Sequence, residues 1–155
     1  NLSAMMGAPY VAGPADFLVE EPFVIDQAGI RFDVIHTAGH TPGGICLYSK
    51  DDGLLFAGGN EVIINGTVNG DVFAGANSVT IGDGAKINGS LFTGAQTVDV
   101  KGEITGSVFT GVMSLVLNEN SIIGRNLYFG GYSLEAKHGS VIMQSPRRRM
   151  RENSC

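Results

Sequence analysis

The sequence predicts a mainly β protein, most of which forms a β-solenoid, a coil of short strands stacked on one another. Three observations lead to this fold class. The chain repeats itself about every 18 residues from residue 54 onward, β-branched residues alternate with polar ones between Gly or Asn-Gly turns, and no stretch shows the 3.6-residue period of a helix. The 23 glycines follow no Gly-X-Y period, so they indicate turns rather than collagen. We expect a right-handed β-helix of about 18 residues per coil, preceded by a small β-rich segment.

The N-terminal third contains short β-type runs separated by turn residues. Val, Ile, Phe and Leu are frequent in them, and residues 30–34 alternate apolar and polar. "QAG" and "KDDG" are typical of hairpin turns. The four predicted strands are "FLVEEPFVID", "IRFDVIHT", "GICLYS" and "LLFAGG".

The remaining two thirds of the chain consist of aligned repeats. Steps of 19, 17 and 19 residues relate four copies, and a step back of 17 residues places a fifth copy, "LLFAGGNEVII", at 54–64. One column is aromatic, one is glycine and the others are aliphatic. The four copies are "DVFAGANSVTI" (71–81), "SLFTGAQTVDV" (90–100), "SVFTGVMSLVL" (107–117) and "NLYFGGYSLEA" (126–136).

Equivalent residues of a solenoid stack coil upon coil, about 4.8 Å apart, so the aliphatic columns are predicted to fill a continuous core. The aromatic column, which is Phe73, Phe92, Phe109 and Tyr128, lies one residue from an aliphatic column. Neighbouring residues of a strand point to opposite faces, which favours an outward or corner position for the aromatic rings over a place in the core.

These patterns divide the chain into three parts. Residues 1–52 form a β-rich segment, residues 53–143 a solenoid of about five coils, and residues 144–155 a disordered basic tail. Residues 1–146 hold six Lys/Arg against fourteen Asp/Glu, whereas "PRRRMRENSC" holds four arginines against one glutamate. The acidic body argues against nucleic acid as a partner.

The segment "FDVIHTAGHTPGGICLYSKDDGLLFAGG" resembles the metallo-β-lactamase fold hydrolases, especially the glyoxalase II-like branch, over about residues 1–58. The resemblance implies that His40, in "GHTPGG", corresponds to a zinc ligand. It also implies an aspartate ligand after Phe-Ala-Gly, where this chain has Gly59. The family's His-x-His-x-Asp-His motif is absent, and the only other histidines are His36 and His138. A catalytic zinc needs several protein ligands, so we expect His40 to be vestigial, with no catalytic or cofactor-binding residue.

Residues 60–143, with phrases such as "GTVNGDVFAGANSVTI", resemble the bactofilins and related polymer-forming bacterial proteins. This resemblance implies a cytoskeletal or scaffolding protein that assembles end to end. We therefore predict a non-enzymatic, self-assembling structural protein that binds no cofactor, with the hydrolase-like segment as an N-terminal cap and its own copies as partners. The alternatives are a capped, monomeric solenoid, a zinc-dependent hydrolase whose missing ligands come from a partner chain, and a fusion without a selected function.

Cys46 and Cys155 lie far apart and form no C-x-x-C pair, which indicates a reducing compartment, so we expect a cytoplasmic protein. The basic tail offers at most weak binding to anionic membranes, at about 1 kcal/mol per basic residue. Its arginines are Arg147, Arg148, Arg149 and Arg151.

Overall fold

A computed structural model describes residues 22–27, 29–36 and 45–143, and all of its regular structure is β-strand. The predicted disordered tail lies outside these residues. In the part that is described, no helix is long and apolar enough to cross a membrane.

From residue 54 onward, long strands of up to 11 residues alternate with short strands of two residues. The strands before the solenoid are β1 (Phe23–Gln27), β2 (Ile30–His36) and β3 (Ile45–Ser49). The long strands of the solenoid are β4 (Leu54–Ile64), β6 (Asp71–Ile81), β8 (Leu91–Val100), β10 (Val108–Leu117) and β12 (Leu127–Ala136). The short strands are β5 (Thr67–Val68), β7 (Lys86–Ile87), β9 (Glu103–Ile104), β11 (Ile122–Ile123) and β13 (Val141–Ile142).

The long and short strands form two separate sheets. One sheet has eight strands in the order β1-β2-β3-β4-β6-β8-β10-β12, and the other has five in the order β13-β11-β9-β7-β5. From β4 onward every pairing is parallel, with one long and one short strand contributed by each turn of the chain. This is a β-solenoid of about five turns, so the predicted fold class is confirmed.

The register of the solenoid follows the sequence repeats. Val72 pairs with Leu91, a step of 19 residues, and Leu91 pairs with Val108, a step of 17. The predicted alignment of "LLFAGGNEVII" with the next copy is also confirmed, because Phe56 pairs with Phe73. Steps of 17 and 19 alternate along the chain because the turns between the strands differ in length, not the strands themselves.

The aliphatic columns form one continuous core, as predicted. Side chains that face each other across the two sheets lose all or nearly all of their exposure in the middle coils. Burial of each such side chain contributes about 1.5–3 kcal/mol, so the stack as a whole stabilises coils that could not fold alone. The fully buried side chains include Val72, Val79, Ile81, Ile87, Leu91, Val98, Val100, Ile104, Val108, Leu115, Leu117 and Ile123.

The aromatic column lies on the outer face of the long sheet, which confirms the outward placement. Ring centroids of successive residues are 4.6–4.9 Å apart and the rings are nearly parallel. Phe109 keeps 38% and Tyr128 52% of its surface exposed. Each stacked pair contributes about 0.5–1.5 kcal/mol beyond simple burial, so the ladder ties neighbouring coils together from outside.

Candidate functional site

The hydrolase-like segment joins the solenoid through the first coil. Strand β3 runs antiparallel to β4 and pairs Leu47, Tyr48 and Ser49 with Phe56, Leu55 and Leu54. On its other edge β4 pairs in parallel with β6. The strands β1, β2 and β3 therefore continue the long sheet beyond the first coil. Strand β3 covers the outer edge of β4 at Leu54, Leu55 and Phe56.

Phe32 of β2 extends this contact to the aromatic ladder. Its ring meets the ring of Phe56 edge-on, with centroids 5.9 Å apart and planes inclined by 72°. Phe56 begins the stack that leads to Tyr128, so Phe32 closes the ladder at this end. An edge-to-face contact is a favourable way to end a stack, because the ring edge is positive and the ring face is negative.

Gly59, at the position where the resemblance implies an aspartate ligand, is part of the solenoid. It lies within β4 and pairs with Ala76 of β6. Its φ is 139°, a conformation that side-chain-bearing residues rarely adopt. An aspartate here would strain the backbone by about 1–3 kcal/mol. The backbone conformation at Gly59 therefore favours glycine over a metal-binding aspartate.

The histidines are not brought together in the part of the chain that is described. His40 lies outside the described residues, His36 ends β2, and the exposed His138 lies in the turn between β12 and β13 of the last coil. Among the described residues no group of three or more His, Cys, Asp or Glu side chains could hold a metal ion. These residues do not fit a catalytic zinc site, which takes three protein ligands and an open position.

A shallow groove of about 610 Å³ runs beside the aromatic ladder. Its walls are Phe56, Phe73 and Phe92 together with aliphatic side chains, and glycines form much of its floor. Among the described residues that line it, Thr93 alone carries a hydroxyl group, and none is an acid, a base or a thiol.

The opposite end of the solenoid is the less covered one. Core columns that are fully buried in the fourth coil become exposed in the fifth: Leu115 is 0% exposed, whereas Leu134, its partner in β12, is 47% exposed. Ile123 is likewise 0% exposed and Ile142, its partner in β13, 37%. Strands β12 and β13 end their respective sheets among the described residues, so each has one edge without a neighbouring strand.

Phe129 partly closes the core at this end. It follows Thr93 and Thr110 in an inward column and is half-buried against the aliphatic core. Its ring passes beside Gly131, where a Cβ would lie 2.9 Å from a ring carbon. The ring covers the end of the core with an apolar surface, yet in the part of the chain that is described no strand pairs with the outer edge of β12.

Comparisons with known proteins agree with the reading of the N-terminal part. Residues 2–58 match the model of the metallo-beta-lactamase superfamily. An "Uncharacterized protein" of Aquifex aeolicus is 36% identical over 66 residues, which are 43% of this chain and 30% of that protein. The "Probable metallo-hydrolase YqgX" of Bacillus subtilis is 30% identical over 82 residues, 52% of this chain and 38% of that protein. The chain thus spans about a third of the length of these relatives, and no solved structure matches it.

The sequence predicted the strands and the residue columns of the solenoid, but not the contacts of Phe32 and Phe129 at its two ends. Phe32 lies outside the repeats, so its position beyond Phe56 depends on the β2–β3–β4 pairing. Phe129 had a visible signal: "LYFGGY" places a second aromatic residue in a column of Ala and Thr, followed by a Gly-Gly pair. In the structure a Cβ at Gly131 would lie 1.9 Å from the carbonyl oxygen of Val112 and 2.9 Å from the Phe129 ring, so the preceding coil and the ring both need the space.

Proposed function

We propose that this protein is a non-enzymatic structural protein that self-associates through the open end of its solenoid. The observation that carries the proposal is the last coil, where β12 and β13 each have one edge without a neighbouring strand among the described residues and core side chains such as Leu134 and Ile142 are exposed. An unpaired strand edge is a template for pairing with another chain, and a terminal repeat without a polar cap favours association.

The edge strand also lacks the features by which proteins prevent such pairing. Strand β12, "LYFGGYSLEA", contains no proline and one charged residue, Glu135. Soluble proteins commonly protect a free edge with lysines, prolines, bulges or an inward-pointing charge. Glu135 follows Val116 in an outward column and so does not place a charge in the core. The composition of β12 therefore favours a strand that pairs.

Within this proposal the hydrolase-like segment acts as a cap on the first coil. Its β3 strand supplies hydrogen-bonding partners to the first part of β4, and Phe32 covers the first ring of the ladder. A cap of this kind needs sheet-forming residues and no catalytic group. It also fits a chain that has Gly59 at the place where the resemblance implies an aspartate ligand.

Sedimentation velocity over roughly a thousandfold range of concentration tests the proposal, with negative-stain electron microscopy of the most concentrated sample. We expect the weight-average mass to rise with concentration. A protein that sediments as a monomer throughout would contradict self-association.

The second candidate function is a zinc-dependent hydrolase of the metallo-β-lactamase type, which the family match over residues 2–58 favours. In this case the missing ligands would come from another chain. Elemental analysis after extensive dialysis separates the two functions: one or two tightly held zinc ions per chain would support the hydrolase, and zinc-free protein that still self-associates would support the structural role.

A further inference from the structure

Three exposed asparagines in turns of the solenoid are each followed by a glycine. Asn65 lies just before β5, Asn69 follows β5 and Asn88 follows β7. In an Asn-Gly pair the backbone nitrogen of the glycine can attack the side-chain amide of the asparagine, because glycine has no side chain to hinder the approach. Each of the three pairs is also preceded by Ile or Val. Differences between them in this reaction therefore come from the fold.

The turns that hold Asn69 and Asn88 are stacked closely on each other. The side-chain nitrogen of Asn88 donates to the side-chain oxygen of Asn69 at 2.8 Å, so the two amide groups hold each other. The glycines that follow are packed against backbone atoms. A Cβ at Gly70 would lie 2.0 Å from the carbonyl oxygen of Gly53, and a Cβ at Gly89 would lie 2.2 Å from that of Gly70. Attack by either glycine nitrogen therefore requires the stacked turns to open first.

The turn at Asn65 is less enclosed. A Cβ at Gly66 would meet nothing within 4 Å, and both residues are exposed. The Asn65 amide oxygen lies over Gly82, where a Cβ would be 2.1 Å away, but no group among the described residues forms a hydrogen bond with that amide. The turn leads into β5, which ends its sheet and pairs with β7 alone in the part of the chain that is described. Its backbone can therefore rearrange at a lower cost than the two stacked turns.

We propose that Asn65 is a site of spontaneous deamidation and that its conversion weakens the first short strand of the solenoid. Water or hydroxide accepts the proton of the Gly66 N–H, and the nitrogen forms a bond to Cγ of Asn65. The bond between Cγ and the side-chain nitrogen breaks, and ammonia leaves. Water then opens the succinimide ring at either of its carbonyls, which gives aspartate or isoaspartate. The reaction consumes water and involves no oxidation or reduction.

The isoaspartate product changes the backbone where the first coil turns. Its main chain runs through the side-chain methylene, so an additional backbone atom separates Ile64 from Thr67. Ile64 is held by the N–H of Gly82, which donates to its carbonyl at 2.8 Å, and Thr67 pairs with Lys86. Strand β5 has two residues and cannot absorb the added length. We therefore expect β5 to lose its register with β7, whether or not copies of the chain associate.

Peptide mapping of aged protein tests the proposal. The full chain is incubated at mildly alkaline pH in water labelled with heavy oxygen, which distinguishes conversion during incubation from conversion during digestion. A matched sample is incubated in concentrated urea, where the fold no longer separates the three sites. Fragmentation of the tryptic peptides in a mass spectrometer then gives the converted fraction at Asn65, Asn69 and Asn88.

In the folded chain we expect Asn65 to convert at least about tenfold faster than Asn69 or Asn88, which corresponds to about 1.4 kcal/mol of additional opening free energy at the stacked turns. In urea the three rates should be similar. Equal rates in the folded chain, or faster conversion at Asn69 or Asn88, would overturn the proposal. So would a folded chain that keeps Asn65 intact while the chain in urea converts.

A pair of alanine substitutions tests the chemistry. Gly66→Ala adds a methyl group that hinders the attack and meets no atom of the fold within 4 Å, so Asn65 conversion should fall at least about tenfold while the melting temperature stays unchanged. Gly94→Ala adds an equally unhindered methyl group away from any asparagine and should leave the rate at Asn65 unchanged. Undiminished conversion in a natively folded Gly66→Ala chain would contradict the mechanism.

Hydrogen exchange tests the weakening of β5. The N–H of Lys86 donates to the carbonyl of Gly66 at 3.2 Å, and the N–H of Ile122, two coils farther along the same column, donates to the carbonyl of Gly102 at 3.2 Å. In the chromatographically separated isoaspartate form, we expect faster exchange at Lys86 and unchanged exchange at Ile122. Unchanged exchange at Lys86, or equal acceleration at both amides, would refute a local effect on the first short strand.

Discussion

Replacing the leucine of one column by alanine, in the fourth coil or in the fifth, measures how much each coil contributes to the free energy of unfolding. Leu115 and Leu134 pair with each other in adjacent coils, at 0% and 47% exposure. The change to alanine is chemically identical at both positions, and both residues lie at the same place in the repeat. Any difference in the cost therefore comes from the next coil, which covers Leu115 and has no counterpart beyond Leu134 among the described residues.

The structure sets the two magnitudes. Leu115 is enclosed between Val98 and Leu134, so its truncation leaves a cavity, and such changes cost about 2–5 kcal/mol. Leu134 retains nearly half of its exposure, and water can fill the space that it leaves. About half of the transfer free energy is lost and little cavity cost is added, so the expected loss is about 0.8–1.5 kcal/mol. We expect the loss at Leu115 to be at least twice the loss at Leu134.

Urea-induced unfolding, followed by far-ultraviolet circular dichroism at low protein concentration, checks this prediction, because there self-association does not protect the last coil. The slope of the free energy of unfolding against urea must stay unchanged for the comparison to hold. Equal losses for Leu115→Ala and Leu134→Ala would refute the reasoning, since they would mean that the fifth coil is covered as well as the fourth. A loss below about 1 kcal/mol at Leu115 would refute the assignment of this column to the core.

Three further predictions concern the core, the turns and the ladder. Leu91→Asp puts an unpaired charge where the side chain is 0% exposed, so we expect no cooperative melting transition at 25 °C or above, and native melting would refute the core assignment. A Cβ at Gly89 would lie 2.2 Å from the carbonyl oxygen of Gly70, whereas a Cβ at Gly94 meets nothing within 4 Å. Gly89→Ala should therefore lower the melting temperature, and Gly94→Ala should not. Equal shifts in melting temperature would count against the stacked turns. Phe92→Leu removes two ring stacks and Tyr128→Leu removes one, so the free energy of unfolding should fall by about 1–3 and 0.5–1.5 kcal/mol, and a larger loss at Tyr128 in urea unfolding would contradict the ladder.

The repeats made most of the solenoid predictable. Parallel pairing in register places residues of one kind at the same position in every coil, so each column of the alignment became a column in space, as for Val72, Leu91 and Val108. The outward aromatic ladder followed from the two-residue period of a strand. These features depend on local alternation and constant spacing, which a single sequence displays directly.

The contacts at the two ends of the solenoid were harder to predict from the sequence, because they depend on what lies outside the repeats. Nothing in the repeats says that Phe32 meets Phe56, since that contact requires the antiparallel order of β2, β3 and β4. Exposure of Leu134 is also invisible in an alignment that gives it the same letter as Leu115. The vestigial role of His40 stays a prediction, because His40 lies outside the described residues.

Strand β4 explains how a hydrolase-like segment and a solenoid can share one sheet. Its antiparallel neighbour β3 and its parallel neighbour β6 both require only that β4 be extended and alternate its faces. "LLFAGG" satisfies both, because Phe56 faces the outer surface beside Phe32 and Phe73 while Leu55 and Ala57 pack against the solenoid core. Backbone hydrogen bonds do not depend on the side chains. The antiparallel strands β1, β2 and β3 can therefore precede the solenoid wherever the strand that joins them alternates its side chains between the same two faces. Gly59 lies within this shared strand, at the place where the resemblance implies an aspartate.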